Sequence, residues 1–335
     1  MRAFVTGGAG FLGSNLVDAL IERADEVLVL DDLSTGSRTN LAAALERGAV
    51  LTEANVVDAS VVATAVRGFA PDVIFHLAAQ VDVRRAVADP AIDAERNVIG
   101  TINVLEAARA AGGTPVVFAS TGGAIYGEGD GRNLPLTEQA DPLPMTAYGV
   151  SKLCGEHYLA LYRRLYRQAG VALRFGNVYG PRQDSHGEAG VVAILAGQLL
   201  EAKPPTVFGD GRQTRDYIYV DDAVAAALAA SAMLIERGAD LEGPYNIGTG
   251  VETSVLQLIE ALANIHGQAQ EALHAPSRTG EIGRISINPA AAERDFGWHP
   301  QTTIETGLAA TYDVLSGRSG AVGGNSTSLN TPKTA

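Results

Sequence analysis

Apolar positions in the first half of the chain follow two rhythms. Short runs of consecutive apolar residues alternate with longer stretches in which apolar residues recur every three to four positions. Val27-Leu28-Val29-Leu30 and Val73-Ile74-Phe75 have no polar interruption. A half-exposed strand alternates, whereas a strand covered on both faces does not, so these runs predict strands buried inside a parallel sheet. The same reading gives strands over residues 3–6, 26–31, 50–53, 73–77, 116–120 and 172–174. Helices are predicted over 13–23, 61–68, 93–111 and 148–169. Strands alternating with helices define an α/β class: a doubly wound parallel sheet with helices on both faces.

Beyond about residue 177 the pattern loosens. Residues 180–190 and 203–213 are rich in Gly, Pro and polar side chains, which suggests the loops of a smaller C-terminal α/β unit. Segments 215–222 and 244–250 read as strands able to return to the first unit. The expected division is therefore 1–176, 177–315 and a flexible tail over 316–335, which is mostly Ser, Gly, Thr and Asn.

Composition narrows the function. The 335 residues include 25 Lys+Arg against 38 Asp+Glu, a net charge of −13. Phosphate backbones would repel such a chain, so a general nucleic-acid binder is excluded. A lone cysteine allows no internal disulfide, and six scattered histidines offer no metal-ligand spacing, so no metal is expected. The longest apolar run, 223–235, is too short to span a bilayer, and no secretory leader is legible. A soluble cytoplasmic protein is the expectation.

Candidate chemistry begins at Thr6-Gly7-Gly8-Ala9-Gly10-Phe11-Leu12-Gly13-Ser14, between the first strand and the first helix. Glycine is needed where the turn is tight, where the backbone approaches a pyrophosphate and where helix meets strand. The helix N-terminus then offers free N–H groups to phosphate. Asp31-Asp32 ends the second strand 18 residues after Gly13. An acid there accepts from adenosine ribose hydroxyls and repels a 2′-phosphate, which favours NAD over NADP. The sheet is thus of Rossmann type.

Tyr148 and Lys152 stand four apart and share a helix face. With 10 tyrosines and only three lysines in the chain, chance supplies such a pair roughly 0.09 times. An ammonium beside a phenol is expected to lower the phenol's pKa and make it a general base. Strand 116–120 runs into Thr121-Gly122-Gly123, at the sheet end where ligands bind. Thr121, in preference to Ser120, is the candidate hydroxyl partner for a substrate oxygen.

These residues together resemble the extended short-chain dehydrogenase/reductase family, and within it the UDP-sugar 4-epimerases of the UDP-glucose/UDP-galactose type. The likeness covers residues 1–315. Beyond the segments above, its marks are His76-Leu77-Ala78-Ala79-Gln80, Asn97-Val98-Ile99-Gly100-Thr101, 174–183 and Arg215-Asp216-Tyr217-Ile218. The resemblance implies a tightly held NAD, reduced and reoxidised within each turnover. It implies that Gly7, Gly10, Phe11, Leu12 and Gly13 meet the pyrophosphate. Asp31, Asp32, Leu33, Ser34, Thr35, Gly36, Asn55 and Val56 would border the adenosine. Leu77, Ala78, Ala79, Gln80, Asn97, Ala119, Tyr148, Lys152 and Phe175 would complete the cofactor site. On the UDP-sugar side it implies Thr121, Tyr148, Asn177, Val191, Val207, Phe208, Arg215, Arg278 and Glu281. A homodimer through the helices at 93–111 and 148–169 is also implied.

Two departures from the family pattern matter. Asn55 stands where similar proteins usually carry Asp. Gly122-Gly123 stands where many 4-epimerases carry a polar residue and where the related 4,6-dehydratases place an acid pair. The partner of Tyr148 is therefore Thr121 or a water, and no dehydratase acid–base pair is present. The implied activity is 4-epimerisation of UDP-glucose and UDP-galactose through a transient 4-keto sugar. The alternatives are UDP-glucuronate 4-epimerisation, with Arg182 or His186 near C6, or another NAD-dependent nucleotide-sugar oxidoreductase or dehydratase. Arg84, Arg85 and Arg96 read as solvated surface charge, and Ile285 falls where the family gates substrate bulk.

Overall fold

The computed structural model describes residues 1–184, 190–268, 271–277 and 281–318. Arg278, His186 and the tail from 319 lie outside them. The strands are β1 (Arg2–Thr6), β2 (Glu26–Asp31), β3 (Val50–Glu53), β4 (Val73–His76), β5 (Val116–Thr121), β6 (Gly170–Phe175), β7 (Asn177–Tyr179), β8 (Thr206–Phe208), β9 (Thr214–Arg215), β10 (Tyr217–Tyr219), β11 (Tyr245–Ile247), β12 (Thr253–Ser254) and β13 (Leu273–Ala275). Seven form one parallel sheet in the order β11-β6-β5-β4-β1-β2-β3. The continuous apolar runs do become interior strands: every residue of β4 is buried, as are all but the first of β1 and β2.

The helices are α1 (Phe11–Glu22), α2 (Ala42–Glu46), α3 (Ala59–Phe69), α4 (Val83–Ala88), α5 (Pro90–Ala94), α6 (Gly100–Ala110), α7 (Gly122–Ile125), α8 (Ala147–Tyr166), α9 (Val191–Leu200), α10 (Val220–Arg237), α11 (Val255–His266), α12 (Ala290–Phe296) and α13 (Ile304–Leu315). One apolar core joins α1 and α10 to the sheet, and a second joins α3, α6 and α8 to its other face. That is the predicted doubly wound layering.

Two expectations change. The helix expected over 93–111 is interrupted by a π turn, Glu95–Ile99, between α5 and α6. Gln80 meets the chain before and within it, its side-chain amide donating to Asp93 Oδ1 and its backbone N–H to Asn97 Oδ1. Of the two returning strands, only β11 joins the main sheet, beside β6. Tyr217–Tyr219 pairs instead with β7, and the helix that follows it, α10, is what returns to pack on α1 and β6.

Candidate active site

A cleft of about 470 Å³ opens over the carboxyl ends of β1, β2, β4, β5 and β6. Its floor is the glycine-rich turn. Gly7 has φ +71°, and a Cβ there would fall 2.6 Å from the Ala78 nitrogen. A Cβ on Gly13 would fall 2.1 Å from the Gly7 carbonyl oxygen. Gly10 caps α1 without a side-chain acceptor, and no acidic residue occupies the first turn. Bare backbone N–H groups therefore face the cleft, as an anion cradle requires.

Asp31 ends β2 with its carboxylate turned back on this turn, accepting from the Ala9 and Leu33 N–H groups at 2.9 and 2.8 Å. Burial pushes its carboxyl above the usual range, and those two N–H groups partly offset the rise. Asp32 accepts from Ser34 N–H and from the Asn55 side-chain amide at 2.8 Å. The unusual amide at position 55 thus serves as a donor to a carboxylate that another Asp would repel.

On the other side of the cleft, Thr146 caps α8 and accepts from Gly149 N–H. Gly149 lets the helix touch the 122–125 turn, since a Cβ would fall 2.7 Å from Ala124 O. Tyr148, Lys152 and Thr121 all line the cleft. Lys152 is 3% exposed. Its ammonium donates to Ala119 O at 2.8 Å and lies 5.9 Å from the Tyr148 ring centre. Burial lowers it to about 8, while Asp93 and Glu156 pull it back up.

Here the expectation for the phenol fails. Burial drives the Tyr148 pKa up, the Asp93 carboxylate adds to the rise, and Lys152 does not reverse it. Desolvation of the phenolate outweighs an ammonium that is itself partly spent on a backbone carbonyl.

Ser120 also borders the cleft, but its hydroxyl donates to Glu156 at 2.6 Å. Glu156 is held by a buried Arg174, whose Nη1 donates to the Tyr126 hydroxyl, which donates in turn to Asn246. Thr121 lines the cleft beside Ser120. A Cβ on Gly123 would lie 3.0 Å from Asn177 Oδ1, so the glycine keeps that wall open.

Of the expected contacts, Gly7, Gly10, Phe11, Leu12, Gly13, Asp31, Asp32, Ser34, Thr35, Asn55, Val56, Leu77, Ala78, Ala79, Ala119, Thr121, Tyr148, Lys152, Phe175, Asn177 and Arg215 line the cleft. Others do not. Leu33 (φ +55°) and Gly36 shape the turn beside Ala9 and stay out of the cleft. Gln80 and Asn97 are buried and spent on each other: Gln80 N–H donates to Asn97 Oδ1, and Asn97 Nδ2 donates to Gln80 O and Asp93. Val207 is fully buried in the core, and Val191 packs against it. Phe208 is not in the lining either. Glu281 reaches the site only through Arg215, 3.7 Å away. Arg182 is paired with Asp18, and Ile285 is buried with Tyr126, Leu136 and Ile287, so neither faces the cleft. Arg96, read as surface charge, does line it. Among the described residues no group could hold a metal ion. Among the described residues no helix is long and apolar enough to cross a membrane.

A glycine-floored cleft with a carboxylate at the end of β2 and a Tyr–Lys pair is the arrangement of a dinucleotide-dependent site. Residues 3–248 match the model of the NAD dependent epimerase/dehydratase family, and the chain belongs to that family. More particularly, it is 42% identical to the UDP-glucose 4-epimerase of Mycolicibacterium smegmatis, over 95% of this chain and all of that one. The structure of Thermotoga maritima UDP-glucose 4-epimerase with UDP-glucose superposes with a TM-score of 0.88 at 40% identity, covering 95% of this chain and 99% of that one. The Thermus thermophilus UDP-glucose 4-epimerase complex with NAD gives 0.86 at 41% identity, covering 96% and 100%.

Proposed function

We propose that this chain is an NAD-dependent UDP-glucose 4-epimerase. The observation that carries the reading is the meeting of Thr121, Tyr148 and Lys152 in one cleft beside Gly122 and Gly123. The site has one proton-transfer pair at the sugar and no carboxylic acid next to Thr121. Removal of water from the sugar needs a further acid and base; inversion at C4 does not.

As phenolate, a form that the positive charges of bound NAD and of Lys152 would favour against the burial that raises the phenol, Tyr148 would take the proton of the sugar 4-hydroxyl, while a hydrogen bond with Thr121 fixes that oxygen's direction. Held over the glycine-rich turn, NAD would supply the hydride chemistry at C4 and positive charge beside Tyr148. Lys152 contributes its own charge while protonated. The resulting 4-keto sugar turns within the cleft, so the protein must grip the nucleotide and leave the hexose loose. Arg215, with Asn177 at the same wall, suits the diphosphate, because a guanidinium forks onto phosphate oxygens.

The outer face of α8 leaves Val150, Leu165 and Tyr166 exposed, and Ile99 is exposed on the neighbouring π turn. A symmetric helix-to-helix dimer would cover them. Light scattering should then return the mass of two chains, and the enzyme would work in the cytoplasm. The activity is tested by incubating the protein separately with UDP-glucose, UDP-glucuronate and UDP-N-acetylglucosamine and resolving axial from equatorial products. UDP-galactose from UDP-glucose, with no net NADH, is the expected result. Conversion of UDP-glucuronate alone would overturn the choice of sugar, and net NADH would overturn epimerisation.

A further inference from the structure

Arg96 is half-buried and lines the cleft with Val81 and Val83. The other lining cations are engaged: Lys152 donates to Ala119 O, and Arg215 donates to Thr214 O and faces Glu281. Arg96 has no hydrogen-bond or ion-pair partner among the described residues. Asp31 and Asp32 share the cleft, and it pairs with neither. A guanidinium held in a concave site without an acceptor is aimed at something that arrives.

Its place in the fold says where that something lies. Arg96 belongs to the π turn Glu95–Ile99. On one side Asn97 ties this turn to the loop after β4, through both the N–H and the carbonyl of Gln80. On the other, Gly100 packs against Val56 so closely that a Cβ would fall 2.7 Å from its Cγ2. Asn103 Nδ2 donates to the carbonyls of Val56 and Val57 in the loop after β3. The sheet order is β4-β1-β2-β3. A segment fastened to the loops after β4 and β3 bridges the carboxyl ends of β1 and β2. Those ends carry the glycine turn and Asp31, the junction between the two halves of a dinucleotide.

We infer that Arg96 closes the dinucleotide site by gripping its diphosphate from the side opposite the glycine-rich turn. The inference rests on the reading of the cleft as an NAD site. Backbone N–H groups and a helix end supply the diphosphate with partial charges only. Two carboxylates nearby oppose its negative charge. A guanidinium balances both and presents two parallel donors to phosphate oxygens. The extra residue in the π turn lets Asn97 turn inward while its neighbour faces the cleft.

The test is titration of the full-length protein, freed of resident dinucleotide, with NAD+, ADP and adenosine. Wild type is compared with Arg96→Gln and Arg96→Lys. A lost charge-assisted contact should weaken NAD+ and ADP by roughly ten- to a hundredfold in Arg96→Gln. Adenosine, which has no diphosphate, should bind both proteins alike, and Arg96→Lys should recover part of the loss. Added salt should weaken wild type more than Arg96→Gln. Equal ADP affinity in wild type and Arg96→Gln overturns the inference. An equal loss for adenosine overturns it too, since that would mark a contact to the base. A wild type that binds no NAD+ defeats the cleft reading itself, and this inference with it.

Discussion

His76 offers a measurable link between the sheet and the loops of the cleft. It ends β4 and pairs in register with Thr6 of β1. Its two ring nitrogens lie 2.7 Å from Thr6 Oγ1 and 3.0 Å from Thr101 Oγ1. The Thr101 hydroxyl spends its proton on Asn97 O, so it can only accept from Nε2–H. Nδ1 is then bare and accepts from Thr6, whose oxygen also receives the Ala78 N–H. The neutral ring thereby fastens the end of β1, the segment after β4 and the π turn together. Burial, and secondarily the charge of Lys152, lowers its pKa from 6.5 to about 3.

The sign follows from proton counting. Between about pH 3 and 6.5 the unfolded chain holds a proton on this ring and the folded chain does not, so acid favours unfolding. The contribution is complete above about 6.5 and is lost as pH falls through the window. From about pH 7 to about pH 5 it amounts to about 2 kcal/mol. Replacing the ring with the non-titrating His76→Gln removes the pH-dependent part and adds a cost that does not change with pH. Urea unfolding of both proteins at several pH values isolates the difference, because every other ionisable group is common to both. Wild type should lead by about 2 kcal/mol less at pH 5 than at pH 7. A lead that stays constant across that range would refute the assignment of a buried neutral imidazole.

Three further outcomes are expected. Tyr148→Phe should cut turnover by roughly a hundredfold or more while the protein still retains NAD, measured by product formation and by dinucleotide released with acid. Gly13→Ala should drive a methyl into the Gly7 carbonyl, 2.1 Å away, and lower both NAD retention and thermal stability. Glu156→Gln should leave the buried Arg174 without its counter-charge and cost about 3–5 kcal/mol in denaturant unfolding; pairing it with Arg174→Met should recover much of that loss.

The elements that announced themselves were those whose function is written in local chemistry. The glycine turn needs glycines in consecutive contact with one backbone, and the Tyr148–Lys152 pair needs only the pitch of a helix. Both were legible, as were the buried strands. What stayed hidden depends on partners distant in sequence. Gln80 and Asn97 sit in recognisable motifs, yet they face each other across the loop after β4. Val207 and Ile285 look like pocket residues in a linear reading and lie within packed clusters. The Ser120–Glu156–Arg174–Tyr126 chain joins residues from β5, α7's edge, α8 and β6, which no spacing rule connects. The rise in the Tyr148 pKa was not legible, because spacing shows proximity, whereas desolvation depends on the walls of the cleft.

The sheet's last strand on one side, β11, is drawn from residues 245–247, long after β6 has been made. During synthesis the backbone of β6 therefore waits with one edge open until most of the polypeptide has left the ribosome. A product truncated before Tyr245 would carry that edge permanently, ready to recruit a strand from another molecule. Premature termination in this gene should thus yield insoluble aggregates and not a smaller working enzyme.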